Sequence, residues 1–121
     1  MKFDFIADTN FLIYVHEGHK MVEPFLIFNF GISFISEVEL LGFKGISKSD
    51  ELLLKKLIDD CFLIDWSTKI KDQTIEFRKN YSLKLPDAII AATSFVFSVP
   101  LVTADKAFSK IEELDLVLIE L

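Results

Sequence analysis

Four acidic residues stand where chemistry on a charged substrate would need them. Asp8 follows a short apolar run directly, and Glu39 follows a second run that begins at Ile32. Asp87 comes just after Pro86, at the start of a long uncharged stretch, and Asp105 comes two residues after Thr103. Carboxylates gathered together repel one another and lose solvation where partly buried, so they need protons or a positive guest. An oxygen-only donor set without His or Cys selects a hard cation, Mg2+ or Mn2+, over zinc. Such an ion binds phosphate oxygens and acidifies a bound water, the two requirements for hydrolysing a phosphodiester. Thr9, Asn10, Ser36 and Thr103 sit beside these acids in sequence and offer neutral groups to orient them.

Each acid also has a plainer explanation. Asp8 and Asp105 fit helix N-caps, and Ser36-Glu-Val-Glu39 matches the S-x-x-E capping box. Asp87 in a first helical turn is favoured by the helix dipole whatever it does. Four caps at four such places would be four separate coincidences, and the elements around them argue for a common origin.

Short apolar runs alternate with helical patterns along the whole chain. Strands are predicted over residues 2–7, 32–35, 62–65, 101–103 and 116–119. Helices are predicted over 9–16, 19–28, 36–43, 47–60, 67–81, 86–97 and 106–111, with Pro86 in the first position of its helix. In the helix at 47–60, Leu52, Leu53, Leu57 and Ile58 are the expected inward face. This order implies right-handed crossovers and the α/β class: a parallel sheet of four or five strands between two helical layers. The carboxyl ends of parallel strands share one edge, where ligands bind at the point of reversed strand order. Asp8, Glu39 and Asp105 belong to that edge, and Asp87 reaches it from its helix start.

The chain's 121 residues suit one domain, residues 1–121, with 51% apolar residues, thirteen of them Phe, to fill a core. A lone cysteine, Cys61, rules out an internal disulfide and fits a reducing cytoplasm. Asp4 and Asp8 interrupt any signal-peptide pattern, and the longest uncharged run, residues 88–104, is shorter than the roughly 20 residues of a membrane span. A soluble protein is expected. Net charge −6 argues against holding nucleic acid by bulk positive charge.

The sequence resembles the PIN domain family, most closely its VapC-like toxins of bacterial toxin–antitoxin pairs. The resemblance runs through Asp8-Thr-Asn-Phe-Leu-Ile-Tyr14, Ser36-Glu-Val-Glu-Leu-Leu-Gly42, Leu85-Pro-Asp-Ala-Ile-Ile-Ala-Ala92 and Leu101-Val-Thr-Ala-Asp105 with Phe108 following. It implies a three-layer PIN-like fold and a Mg2+- or Mn2+-dependent endoribonuclease whose metal ligands are Asp8, Glu39, Asp87 and Asp105. It also implies an antitoxin partner and a homodimer. One departure is Ala107, where many relatives carry an acid or His; it leaves four acids to hold one ion firmly. Glu37 is expected to point away from the face of Glu39.

RNA affinity in so acidic a chain is expected from the ion and from scattered cations, with Lys20, Lys44, Lys48 and Lys106 as candidates and Lys106 the best placed. His16 and His19 are placed past the first helix, away from the edge; Cys61 in the core; Trp66 and Tyr81 in packing contacts. The apolar stretch 21–34, with Phe25, Leu26, Ile27, Phe28, Phe30 and Phe34, is expected to mark an interface. Two rival readings remain. One is a non-enzymatic PIN-like adaptor whose acids only cap helices. The other is a receiver-like signalling domain, which expects paired acids after the first strand where this chain has Asp8-Thr9-Asn10.

Overall fold

Alternation along the strands decides which side of the sheet each residue faces, and here it divides the core in two. In the computed structural model, which describes residues 2–120, β1 is Phe5–Ala7. Its Ile6 enters a core with Ile64, Ile70, Phe77, Ile90, Leu101 and Phe108. Its Phe5 and Ala7 enter the opposite core with Phe11, Leu12, Ile32, Leu54, Ile58 and Val102. The first core lies under α4 (Thr68–Asn80) and α5 (Leu85–Phe97), which pack on each other; the second lies under α1 (Thr9–Glu17) and α3 (Lys48–Asp59).

The remaining strands are β2 (Phe30–Ser33), β3 (Phe62–Ile64), β4 (Leu101–Thr103) and β5 (Leu116–Leu118). They form one five-stranded sheet in the order β3-β2-β1-β4-β5, with every neighbouring pair parallel. The expected three-layer α/β/α architecture is therefore present. Strand order reverses between β1 and β4, so the crevice beyond their carboxyl ends is the natural ligand site. Gly31 of β2 lies so close to the core that a Cβ there would meet Ile64 Cδ1 at 2.9 Å.

Several local expectations are corrected. Strand β2 runs directly into α2 (Phe34–Leu41), with Ser33 as the cap that accepts from the Ile35 N–H at 3.2 Å. Ser36 is therefore inside the helix and Glu39 a turn further on, so Ser36-Glu-Val-Glu39 is not a capping box. The segment expected as a helix at 19–28 is a 3₁₀ helix over Lys20–Phe25, and Lys106–Lys110 is another. Pro86 is the second residue of α5, not the first. In α3 the buried residues are Leu54 and Ile58, while Leu52 and Leu53 face out.

The stretch 21–34 is only half exposed. Phe25 and Phe30 pack into an aromatic group with Phe5 and Phe11, at centroid separations of 5.3–5.9 Å. Leu26, Ile27 and Phe28 stay exposed beside them. Phe11 is fully buried in this group, and its N–H also binds Asp8. Phe11→Ala should cost about 3–5 kcal/mol, read as a lower urea midpoint with an unchanged m-value.

Candidate active site

The site is built on Asp8, a carboxylate that is 4% exposed at the end of β1. Its Oδ1 accepts the Phe11 N–H at 2.8 Å, which caps α1, so the plain capping role is real. Its Oδ2 accepts a short hydrogen bond from the Thr103 hydroxyl at the end of β4. A carboxylate offers about four lone-pair sites, so these two donors leave Asp8 free to bind a cation as well. Thr103 is itself fully buried and accepts the Asp105 N–H at 2.9 Å. One hydroxyl therefore links the two acids flanking the switch point. Thr103, expected to offer a neutral group beside these acids, bonds Asp8 directly.

Asp105 caps the second 3₁₀ helix through an Oδ1 bond to the Ala107 N–H at 2.8 Å. Glu39 lies on the exposed side of α2, where Thr9 donates to its Oε1 at 2.7 Å. Thr9 Oγ1 is also 2.9 Å from Ser36 Oγ. A hydroxyl has one proton to give, so Ser36 is the donor to Thr9 and the chain of bonds ends on Glu39. Ser36 thus bonds no acid itself and reaches Glu39 through Thr9.

Asp87 is half-buried in the first turn of α5 and shares a cleft of about 450 Å³ with Asp105, Ser82, Leu83, Lys84, Ala107 and Lys110. On the other side, Thr9, Asn10 and Glu39 open onto a groove of about 510 Å³ whose apolar lining includes Ile13, Leu40, Phe43, Ile46 and Leu54. His16 lies within α1 and lines this groove, 3.2 Å from Asp50, so it is closer to the site than its sequence position suggested. His19 pairs with Glu17 at 3.1 Å. Glu37 lines neither surface.

Proton affinities record how these acids feel one another. Burial pushes the Asp8 carboxyl up from 3.8 to about 6 against the pull of Thr103 and Phe11, with Asp105 and Asp87 adding to the rise. Asp87 is raised by burial, then by Asp105 and Glu39, and pulled back by Lys84. The four acids are thus coupled electrostatically. Among the described residues, however, no three His, Cys, Asp or Glu side chains converge into a closed metal cage. The donors that are present, all oxygen and partly buried with like charges nearby, fit a hard divalent cation that keeps several of its waters. Ala107 adds no ligand atom to the cleft that it lines.

Residues that sequence reasoning passed over also meet here. Lys84 and Lys110 line the acid cleft, whereas Lys48 lies on a separate shallow surface with Glu51 and Lys55. Lys106 is exposed directly beside Asp105. Trp66 is 60% exposed after β3, so it is not a core residue, and Tyr81 bonds Glu113. Cys61 is half-buried against the second core, with its thiol pushed up to about 12 by burial. No helix among the described residues is long and apolar enough to cross a membrane.

The Asp8 shift makes a stability prediction. Between pH 3.8 and about 6 the folded protein holds a proton that the unfolded chain has released. Stability of the metal-free protein must then fall as pH rises through that window, by on the order of 3 kcal/mol. Asp8→Asn should abolish this loss and melt above wild type at pH 7 in chelator. Paired thermal melts from acid to neutral pH would check it; identical pH profiles would refute the burial argument.

Comparison with known proteins agrees with this architecture. The family model described as "PIN domain" matches residues 5–114. No curated protein sequence gives a significant match. Among solved structures, a toxin–antitoxin complex from Klebsiella pneumoniae is similar at 29% identity, TM-score 0.80, over 93% of this chain and 95% of that one. VapBC2 from Rickettsia felis, bound to a promoter DNA fragment, is similar at 21% identity and TM-score 0.81, over 96% and 98% of the two chains. DNA-bound VapBC from Salmonella typhimurium is similar at 19% identity and TM-score 0.83, over 95% and 97%. With the strand order, the acid edge and the family match in agreement, this chain belongs to the PIN domain family.

Proposed function

We propose that this chain is a divalent-metal-dependent endoribonuclease and the toxin of a toxin–antitoxin pair. The observation that carries the reading is Asp8: a buried carboxylate held by the first turn of α1 and by Thr103 of β4 at the switch point, with its proton affinity raised by burial and further by Asp105 and Asp87. A protein that merely needed a cap has no reason to bury that charge beside two others. Membership of the PIN family and similarity to the Klebsiella pneumoniae complex support the same conclusion.

Asp8 and Asp105 would hold the principal ion, with Asp87 and Glu39 completing its shell or orienting water. Bound there, Mg2+ or Mn2+ supplies positive charge to phosphate oxygens and acidity to a coordinated water. Thr103 fixes the Asp8 carboxylate and the Asp105 backbone so that neither must reorganise during reaction. Thr9 fixes Glu39 in the same way. The raised proton affinity of Asp87 suits its carboxylate to receive a proton from the attacking water.

The apolar groove beside Glu39 offers a surface for an antitoxin segment, and the exposed Leu26, Ile27 and Phe28 offer one for a second copy. The reaction would take place in the cytoplasm. The adaptor reading retains one specific support, that Asp8 and Asp105 do cap helices. Mn2+ titration separates the two: an adaptor gains no thermal stability from the ion, and the nuclease does.

Asp87→Asn and Asp105→Asn should each lower RNA cleavage in Mn2+ by about 100-fold or more with the fold intact by circular dichroism. Undiminished cleavage by either variant removes that acid from the mechanism. Mapping cut ends in cellular RNA after inducing wild-type and Asp87→Asn proteins would identify the target.

A further inference from the structure

The two surfaces that flank the acids differ in charge. The apolar groove carries Glu39, Asp50 and His16 among largely uncharged neighbours. The cleft on the other side carries two lysines against two acids, in a chain with 13 basic and 19 acidic residues. By contrast, the cavity of about 700 Å³ at the far end of α5 sets Lys69 against Asp72, Glu76, Glu113 and Asp115. Of the three concavities that border the acids or α5, the acid cleft is the one in which lysines match the carboxylates in number.

Those lysines are also uncommitted. The ion pairs among the described residues are His16–Asp50, His19–Glu17, Lys55–Glu51 and Lys79–Glu76. Among the described residues, Lys84, Lys106 and Lys110 have no carboxylate within pairing distance. Lys110 Nζ donates once, to the Ser82 carbonyl at 2.8 Å, which holds the ammonium over the cleft with two N–H donors to spare. Ser82 and Lys84 belong to the α4–α5 connection, and Tyr81 at its start is tied to Glu113. The connection and the segment around Lys110 are thus braced against each other. The Lys110 ammonium is thus placed before any ligand arrives, which lowers the entropy lost on binding, while Lys84 is brought to the cleft by its place in the connection.

We propose that Lys84 and Lys110 form a phosphate subsite that holds a backbone phosphate of the substrate strand next to the Asp87–Asp105 pair. The inference rests on the nuclease reading above and extends it with the direction in which the strand leaves the acids. Single-stranded nucleic acid fits better than an acidic peptide. Its successive phosphates let one lie on the acids through a divalent ion while a neighbour lies on the lysines. A peptide carboxylate would meet Asp87 and Asp105 without such mediation.

The test compares Lys84→Gln/Lys110→Gln with Lys55→Gln/Lys79→Gln, which removes the same charge from helix surfaces elsewhere. Binding of a single-stranded RNA oligonucleotide is measured in EDTA across a salt series, beside a polyglutamate peptide. The cleft variant should bind RNA about tenfold more weakly, with a log–log salt slope shallower by about 1.4. The helix-surface variant should match wild type. In Mn2+ the cleft variant should raise KM with kcat within about twofold, and Lys84→Arg/Lys110→Arg should restore both. Equal weakening by the two Gln variants would overturn the subsite while leaving the nuclease reading intact. Tighter binding of polyglutamate than of RNA would assign the cleft to an acidic protein partner and overturn it also. Wild type that neither binds nor cleaves RNA would fail the nuclease reading itself, and the subsite with it.

Discussion

A carboxylate taken out of water must be given donors, and Asp8 receives them from two places that are far apart in the chain. One is the first turn of the helix that follows it; the other is Thr103, ninety-five positions later. The second donor is available only when β1 and β4 lie side by side in parallel with their carboxyl ends level, as their register shows. The same hydroxyl then fixes Asp105 by accepting its N–H. The fold and the site are therefore specified together. An arrangement that separated β4 from β1 would leave the buried Asp8 with its helix-cap donor alone, and one oxygen without a partner costs about 1–3 kcal/mol.

Much of the fold was legible because the strands are short and apolar, and β1, β2 and β3 are separated by α-helices. The errors arose where two signals overlapped. Ser33 and Ser36 both precede a helical run, and Ser36 has the better capping-box spacing. The cap is set instead by where the β2 ladder ends, and pairing of Ser33 with Ile64 carries the strand to Ser33 itself. In α3 the sequence Leu52-Leu53-Leu54 with Leu57 and Ile58 offers more than one apolar face. Docking against α1 and β3 selects Leu54 and Ile58, a choice that only the packed neighbours make.

Asp8, Glu39 and Asp105 were legible from their places after strands, because parallel topology alone brings those places to one edge, whereas Asp87 enters from the first turn of α5. Their partners were less so. That Thr103 would bond Asp8 follows from β1–β4 adjacency, which sequence alone did not reveal. Two cleft lysines were not singled out because charge in a linear sequence has no address. Lys84 and Lys110 are brought together by a bend between α4 and α5 and by one backbone carbonyl, neither of which leaves a motif.

An acidic protein that acts on a polyanion must confine its attraction to the site. Beyond roughly 8 Å at physiological salt, exposed charges are largely screened, so the net charge of −6 matters less than the local sum in each concavity. In the acid cleft, Lys84 and Lys110 cancel Asp87 and Asp105, and a divalent ion would make the balance positive. At the far end of α5, Asp72, Glu76, Glu113 and Asp115 face one lysine, and a phosphate chain is repelled. In the proposed nuclease, the negative surplus that excludes bulk nucleic-acid binding would thus act as a guide, because it leaves the acid edge as the place where a strand could rest.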